Sequence, residues 1–565
     1  MLDKTDRSPL VGRLQNSDRA LHAAEGAWTG GLSPIATGLA FADWMAHLMN
    51  APFRQVELAL EAQAALQPPA PAREPAPVDA RFSDAGWSQP PFSHFRDGFQ
   101  ASERWWKSAT TGVHGVEAAH ERIVAFTVRQ MLDMVCPANL PWLNPEVIAR
   151  TRAEGGANLR RGALAFLKDL AGDAAEDLQS PPYVVGKTLA ITPGKVVLRN
   201  RLVELIQYAP STGTVRPEPI LITPAWINKY YILDLRPQNS LIKFLVDQGF
   251  TVFCLSWRNP DERFRETALD DYRTLGVMAA IDAVTTICNG SRIHLCGYCL
   301  GGTLAALTAA AIGRDGDDRL ASLTLLAAQT DFTEAGELEL FTTESQIAFL
   351  EDIMAERGYL SGAQMAGAFQ MLRSSDLIWS RALHAYWLGD LPPPSDLMVW
   401  NADTTRMPSK MHSEYLRRFF LNNDLAEGRF PVGDAPVSLN DIRTPLFVVG
   451  TENDHVSPWR SVFKIHILSE QEITFVLTSG GHNAGIVSEP GHLGRHYRQG
   501  RRPCRAPYVG PDDWMKGHAA REGSWWPAWC VWLATHSGAA IAPPAMGGAA
   551  GADLGDAPGT YVKQA

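Results

Sequence analysis

Arg292-Ile-His-Leu-Cys-Gly297-Tyr-Cys299-Leu-Gly301-Gly302-Thr-Leu-Ala-Ala-Leu-Thr-Ala-Ala-Ala-Ile312 decides how the chain is read. A short apolar run ends in glycine. A run of strong helix formers starts directly after two more glycines. Between them stands one cysteine with a glycine two residues before it and another two residues after. That is the pattern of a nucleophile on a sharp strand-to-helix turn, with Cys where Ser is commoner. Such a turn is strained, so its neighbours must be nearly free of side chains. The helix that follows aims its first amides at the thiol, which favours a thiolate. The amide of Leu300 is placed to donate to a developing oxyanion.

A turn of this kind needs a carboxylate and then a base downstream. Leu446-Phe-Val-Val-Gly450 leads into Thr451-Glu-Asn-Asp454-His-Val-Ser-Pro-Trp459. Ile473-Thr-Phe-Val-Leu leads into Thr478-Ser-Gly-Gly-His482. Asp454 and His482 each fall just past a predicted strand, on the edge where parallel sheets carry their sites. His455 and Glu452 are the runners-up. His482 is expected to deprotonate Cys299. Asp454 either orients His482 or helps deprotonate an attacking hydroxyl. The second oxyanion amide is expected after an early strand, near Trp226 or Ile227. A cysteine accepts an acyl group from a thioester at little free-energy change and can pass it downhill to an alcohol, so acyl transfer suits this site better than hydrolysis.

Working outward, strand runs at 195–199, 202–208, 219–224, 251–257, 292–296, 320–327, 444–450 and 473–477 alternate with helical patterns from about Tyr183. The run at 473–477 reads as the last strand. This is an α/β pattern with a mostly parallel sheet covered on both faces. The mainly helical stretch from about 328 to 443 is too long for a connection and reads as a cap. Residues 1–180 read as a helical N-terminal domain, interrupted at 67–79 by a linker with prolines 68, 69, 71, 75 and 77. Residues 181–540 form the catalytic domain, and 541–565, rich in Gly, Ala and Pro, a flexible tail. Together these predict an α/β-hydrolase fold with a helical cap insertion and a helical N-terminal domain.

The chain has 565 residues, 45% hydrophobic and 20% charged, with a formal net charge of −10. That composition excludes a wholly disordered chain, and the acidic balance argues against general nucleic-acid binding. No apolar run is long enough to span a membrane, and the polar start shows no secretory signal. Of seven cysteines, all but Cys299 read as reduced, buried packing residues. No metal site is visible.

The residues then become recognisable. Ile227-Asn-Lys-Tyr-Tyr-Ile-Leu-Asp-Leu235, Ser256-Trp-Arg-Asn-Pro-Asp261, the Gly-Tyr-Cys-Leu-Gly-Gly turn, Asp376-Leu-Ile-Trp379, Val399-Trp-Asn401, Asp454 to Trp459, Ser479 to His482, Gly523-Ser-Trp-Trp-Pro-Ala-Trp529 and Pro558-Gly-Thr-Tyr-Val562 resemble the polyhydroxyalkanoate synthases. A weaker likeness continues upstream through Arg81 to Trp87. The resemblance implies an enzyme that polymerises (R)-3-hydroxyacyl-CoA into a polyester and releases CoA, so CoA is part of the substrate and no cofactor is implied. It implies that Cys299 carries the growing chain, that His482 activates it, and that Asp454 assists the 3-hydroxyl. It further implies a homodimer at the surface of cytoplasmic storage granules, with granule-associated proteins as neighbours. Trp400 matches a Trp associated with the dimer or the site. Chain length and the Tyr-Cys turn resemble the single-subunit, short-chain (class I) group. Asn401-Ala-Asp-Thr-Thr-Arg-Met-Pro408 resembles the medium-chain group, and the double glycine before His482 departs from the usual single one.

Two rival readings use the same residues. One is a Cys-dependent thioesterase or polyester depolymerase, with water replacing the hydroxyl. The other is a non-catalytic granule-surface protein, against which the complete Cys299, Asp454 and His482 set argues. The tryptophans 379, 387 and 400 read as packing, with a channel-lining role as the alternative. The apolar helix Ile35 to Met49 reads as packed rather than as an anchor.

Overall fold

The computed structural model describes residues 9–65, 79–171, 182–372, 374–390, 393–547 and 554–565. All of the expected proline-rich linker except Asp79 lies outside the described residues.

The strands are β1 (Gly194–Arg199), β2 (Val203–Tyr208), β3 (Ile220–Thr223), β4 (Val252–Trp257), β5 (Ile293–Tyr298), β6 (Leu320–Leu326), β7 (Leu446–Thr451), β8 (Ile473–Thr478), β9 (His496–Arg502) and β10 (Arg521–Glu522). They form one sheet in the order β1-β2-β4-β3-β5-β6-β7-β8-β9-β10. The run from β4 to β8 is parallel, and β1, β2, β9 and β10 extend its edges antiparallel. Strands β3 to β8 are buried at every position, which is why they read as continuous apolar runs. The strand order reverses beside β3: β4 lies on one side of it and β5 on the other. That leaves a crevice at the C-terminal ends of β3 and β5.

The sheet does not end where the sequence suggested. After β8 comes β9, His-Tyr-Arg-Gln-Gly-Arg-Arg, mostly half-exposed. Its polar run gives no apolar signal, and its arginines suit a strand near an edge, where charge discourages pairing with other chains.

The helix after Cys299 spans Leu300–Arg314 and is buried from Leu300 through Ile312. Its alanines let it lie close to the sheet. The opposite face is covered in part by the helix Trp526–Thr535. Trp525 and Trp526 donate from their indole nitrogens to the carbonyls of Gly485 and Ile486, at 3.0 and 2.9 Å. The Trp-rich motif therefore holds the loop that follows β8.

Among the described residues, seven α-helices precede the sheet: α1 (Pro9–Thr29), α2 (Pro34–Met49), α3 (Pro52–Ala65), α4 (Phe92–Thr110), α5 (Ala118–Val135), α6 (Pro145–Ala153) and α7 (Ala157–Ala171). They brace the residues between β6 and β7. Gln346 accepts from the Ser33 amide at 2.8 Å and donates to the Gly31 carbonyl at 2.7 Å. Asp169 accepts from Tyr386 and Arg381 at 2.6 and 2.8 Å. The segment between β6 and β7 is mainly helical and contains π-helical turns at Ser375–Trp379, Leu383–Leu388 and Leu416–Leu421.

Two expectations need correction. Residues 554–565 are not a loose tail: Tyr561 and Val562 are buried, and Thr560 and Tyr561 donate to Glu204 of β2. Composition marks a flexible segment, but a buried carboxylate that needs donors decides otherwise here. Cys504 is exposed, while the other five cysteines read as packing residues are buried.

A Cβ at Gly301 would overlap the Thr223 carbonyl oxygen and lie 2.5 Å from that of Pro224. Gly301→Ala should therefore lower unfolding free energy by about 3 kcal/mol or more. At Gly38, inside α2, nothing lies within 4 Å of such a carbon, so Gly38→Ala should stabilise by about 0.5–1 kcal/mol. Chemical denaturation of both variants checks the pair.

Candidate active site

Cys299 sits between β5 and the helix Leu300–Arg314 at φ 53° and ψ −125°, in the positive-φ region that non-glycine residues avoid. Strain of this kind costs about 1–3 kcal/mol and persists only when the surroundings impose it. The imposing contacts are visible. The Cys299 amide donates to the Leu326 carbonyl on β6 at 2.9 Å. A Cβ on Gly297 would strike the backbone of Gly302, and one on Gly302 would strike the Ala328 side chain. Gly302 and Thr303 bond back to the Cys299 carbonyl. As the first helical residue, Leu300 has no intrahelical acceptor for its own amide.

Asp454 follows β7 and has a fully buried side chain. Its Oδ1 accepts from the amides of Val456 and Ser457, at 2.9 and 2.7 Å. Its Oδ2 accepts from Thr451 Oγ1 and from His482 Nδ1, both at 2.8 Å. Burial alone would raise this carboxyl, but the His482 charge and the four donors outweigh it and hold Asp454 below the usual carboxylate range.

His482 follows β8. Burial would push its ring down, but the charges of Asp454 and Cys299, with the hydrogen bond to Asp454, hold it well above the ordinary imidazole value. Its Nε2 is buried, and among the described residues no acceptor satisfies it. The ring lies 5.6 Å from that of Tyr298, whose hydroxyl donates to Asn483 Oδ1 at 2.6 Å. The two glycines before His482 differ in function. Gly480 sits at φ 103° and its carbonyl accepts from the Asn453 amide at 3.0 Å, tying the His482 and Asp454 loops together. Gly481 needs no positive φ, and a Cβ there would meet only the Asn453 carbonyl, at 3.3 Å.

The structure thus brings Cys299, His482 and Asp454 together. Leu300, Ile227 and Trp400 join Cys299 and His482 in the wall of one cavity of about 1490 Å³. Trp400 is buried and donates to the Lys229 carbonyl at 2.7 Å. Trp379 and Trp387 do not line the cavity. The runners-up fall away: His455 is exposed, and Glu452 pairs with His496 at 3.1 Å.

Two lining residues had no sequence signal. His412 and Tyr415 lie on the helix Ser409–Tyr415, whose i, i+3 spacing puts them on one face. Burial pushes His412 down to about 4, so it is neutral, and its Nδ1 has no partner among the described residues. The Tyr415 phenol is raised by burial and then by Cys299, which places it near the thiol. Inside a helical segment, Met-His-Ser-Glu-Tyr carries no spacing to a motif.

Comparisons with known proteins bear on the family and the fold. Residues 78–245 match the family model described as the poly-beta-hydroxybutyrate polymerase (PhaC) N-terminus, and residues 13–54 match the poly-beta-hydroxybutyrate polymerase N terminal model. Residues 218–489 match the alpha/beta hydrolase fold. The chain is 41% identical over 500 residues to the poly(3-hydroxyalkanoate) polymerase of Methylorubrum extorquens, covering 87% of this chain and 82% of that one. It is 38% identical over 490 residues to the poly(3-hydroxyalkanoate) polymerase subunit PhaC of Rhizobium meliloti (86% and 79%), and 35% identical over 455 residues to that of Cupriavidus necator (79% and 76%).

Asp454→Asn removes the carboxylate charge that raises His482 and leaves the burial that lowers it. A base with a raised pKa keeps its proton to higher pH. The acid limb of Cys299 acylation by a thioester should therefore move to lower pH in the variant. The plateau should fall by about 10²- to 10⁴-fold as the ring loses its orienting bond. A pH–rate profile reads both, and an unmoved limb would contradict the account.

Proposed function

The chain belongs to the poly(3-hydroxyalkanoate) polymerases, and from that premise we propose that Cys299 carries the growing polyester as a thioester while His482 moves the protons. The enzyme is a polyester synthase, an acyltransferase of α/β-hydrolase fold that uses acyl-CoA and makes a polyester.

One observation carries the assignment of roles. Both oxygens of Asp454 are taken up by four donors, and His482 Nδ1 is among them. The Asp is an orienting group with no lone pair facing the cavity. His482 Nε2, left without an acceptor among the described residues, is the group able to work on the substrate. It takes the proton from the Cys299 thiol. The sulfur attacks the thioester carbonyl of (R)-3-hydroxyacyl-CoA, and the amides of Leu300 and Ile227 receive the oxyanion. Collapse breaks the bond to the CoA sulfur, which leaves with the proton from His482. In elongation His482 takes the proton of an incoming 3-hydroxyl, whose oxygen attacks the acyl-Cys299 carbonyl. An oxoester forms and the Cys299 sulfur recovers the proton. No prosthetic group takes part, and CoA only arrives and leaves.

Finer points of the reading rest on narrower support. The short-chain, single-subunit (class I) assignment rests on chain length, the Tyr-Cys turn and the N-terminal match at 13–54. The division near residue 180, with a cap over the site, is supported by the helical residues on both sides of the sheet segment. Trp400 is buried within the single chain, which favours a channel wall over a dimer contact. The homodimer rests on the family resemblance alone. Attachment to cytoplasmic polyester granules is supported by an exposed apolar row, contrary to the expectation that the helix Ile35 to Met49 is simply packed. Ile35, Leu39 and Met49 on α2 and Phe53, Val56 and Leu60 on α3 face outward, while Ala36, Ala40 and Trp44 pack inward. Among the described residues no helix is long and apolar enough to cross a membrane.

With 3-hydroxybutyryl-CoA, wild type should release CoA and deposit insoluble polyester, and Cys299→Ala should do neither. Free hydroxy acid without polymer would make the site a thioesterase. Deleting residues 1–79 should weaken granule attachment, read by co-sedimentation, without abolishing acylation of Cys299.

A further inference from the structure

The motif Pro558-Gly-Thr-Tyr-Val562 has no part in the chemistry above, yet it is held in place with care. Glu204 on β2 is a carboxylate with no side-chain exposure. It accepts from the amides of Thr560 and Tyr561, both at 2.9 Å, and from Thr560 Oγ1 at 2.7 Å. Gly559 sits at φ 80°, and a Cβ there would strike Glu204 Oε2, so both backbone and space require glycine. Arg258 stacks on the Tyr561 ring at 5.3 Å, and Gln564 Oε1 accepts from the Asn259 amide at 3.2 Å.

From this anchored segment the contacts run to Lys229, whose side chain is only 2% exposed. Lys229 Nζ donates to the Val562 carbonyl at 3.0 Å and to the Gln564 carbonyl. It also pairs with Asp403 at 3.6 Å, and Asp403 in turn accepts from the Tyr231 hydroxyl at 3.0 Å. Lys229 ends the loop that begins after β3 and carries Trp226, Ile227 and Asn228. The Pro224 carbonyl accepts from Trp257 Nε1 at 2.9 Å, and the carbonyls of Trp226, Ile227 and Lys229 take their donors from residues 400–405. Thr405 Oγ1 donates to Trp226, the Thr405 amide to Ile227 at 3.1 Å, and Trp400 Nε1 to Lys229 at 2.7 Å. Asn228 pairs with Thr404. The Trp226 carbonyl shares a peptide with the Ile227 amide, so the bond from Thr405 Oγ1 fixes that peptide and turns the Ile227 amide to the opposite side, on a residue that lines the cavity.

We propose that residues 558–564 form a clasp that acts through Lys229 to set the position of the oxyanion loop, making Lys229 a positioning residue for acyl transfer. The idea rests on the reading in which Cys299 is acylated and Ile227 supplies an oxyanion amide. The clasp touches the loop and not the Cys299 turn, so it bears on carbonyl chemistry and leaves the thiol itself alone. An ammonium suits this position because three donors on one long stem reach two carbonyls and a carboxylate from a single buried point.

The test separates carbonyl chemistry from thiol chemistry in the full-length enzyme. Lys229→Met is compared with wild type in two single-turnover reactions: acylation of Cys299 by 3-hydroxybutyryl-CoA, and alkylation of Cys299 by iodoacetamide, which needs no oxyanion site. Acylation should fall about tenfold or more, short of the roughly 10²–10³ seen when an oxyanion donor is removed outright. The fall should appear in kcat with KM little changed, and alkylation should stay within twofold of wild type. Lys229→Arg should restore part of the acylation rate. Glu204→Gln, which weakens the anchor of residues 558–564 without touching Lys229, should give a smaller loss of the same kind, which serves if Lys229→Met does not fold. Equal losses in both reactions would make the clasp a purely structural support, and no loss in either would remove it from the reaction; both outcomes overturn the proposal. Cys299→Ala run alongside tests the underlying reading: if that variant still forms an acyl-enzyme, the reading itself fails, whatever Lys229 does.

Discussion

The close approach of backbone to backbone around Cys299 is the constraint on which the rest depends. Gly297 lies against Gly302, Gly301 against the carbonyls of Thr223 and Pro224, and Gly302 against Ala328. Three parallel strands and one buried helix meet there with no side chain between them. The strained Cys299 conformation is the product of that meeting, because the amide bond to Leu326 and the helix start at Leu300 leave no relaxed alternative. The strain also has a use. It lifts the thiol out of the sheet and puts the Leu300 amide beside it in one step.

Around this fixed point the other groups are positioned by loops, and each loop is tied by backbone bonds to something rigid. The Asp454 loop folds its own amides onto its carboxylate. The His482 loop is joined to it through Asn453 and Gly480, and to the far face of the sheet through Trp525 and Trp526. Electrostatics then reinforces geometry. Asp454 is held ionised in a buried place by four donors, and its charge is the strongest of the influences that raise His482 against burial.

Much of this was legible in the sequence, and the parts that were not share a cause. Strands β3 to β8 declared themselves because both faces are buried, so apolarity is continuous. The convergence of Cys299, Asp454 and His482 was legible because steric need writes glycine at 297 and 301, and strand ends place the partners. β9 was missed because a strand next to the edge, with Arg498, Arg501 and Arg502, has no apolar pattern. The docking of residues 554–565 was missed because it depends on Glu204, more than 350 residues earlier in the chain. His412 and Tyr415 were missed because a cap helix shows which side chains share a face but not what that face looks at. Local pattern reports burial and backbone need; it is silent about which distant surface supplies them.

The choice of cysteine and the large cap are answers to one problem. In the proposed mechanism an acyl thioester on Cys299 stays activated, so it reacts with whatever nucleophile reaches it, and water is the most abundant. The enzyme forms polymer only if a substrate hydroxyl arrives ahead of water. The cavity wall includes Phe332, Met407, Leu416 and Phe420, with His412 kept neutral by burial. Such a wall has little to offer a water molecule and much to offer an aliphatic chain. Most of it belongs to the segment between β6 and β7, which rests on the N-terminal helices through Gln346 and Asp169. The helical N-terminal region thus supports the apolar wall of the cavity that Cys299 lines, and Gly30, Gly31 and Ala165 join that wall themselves.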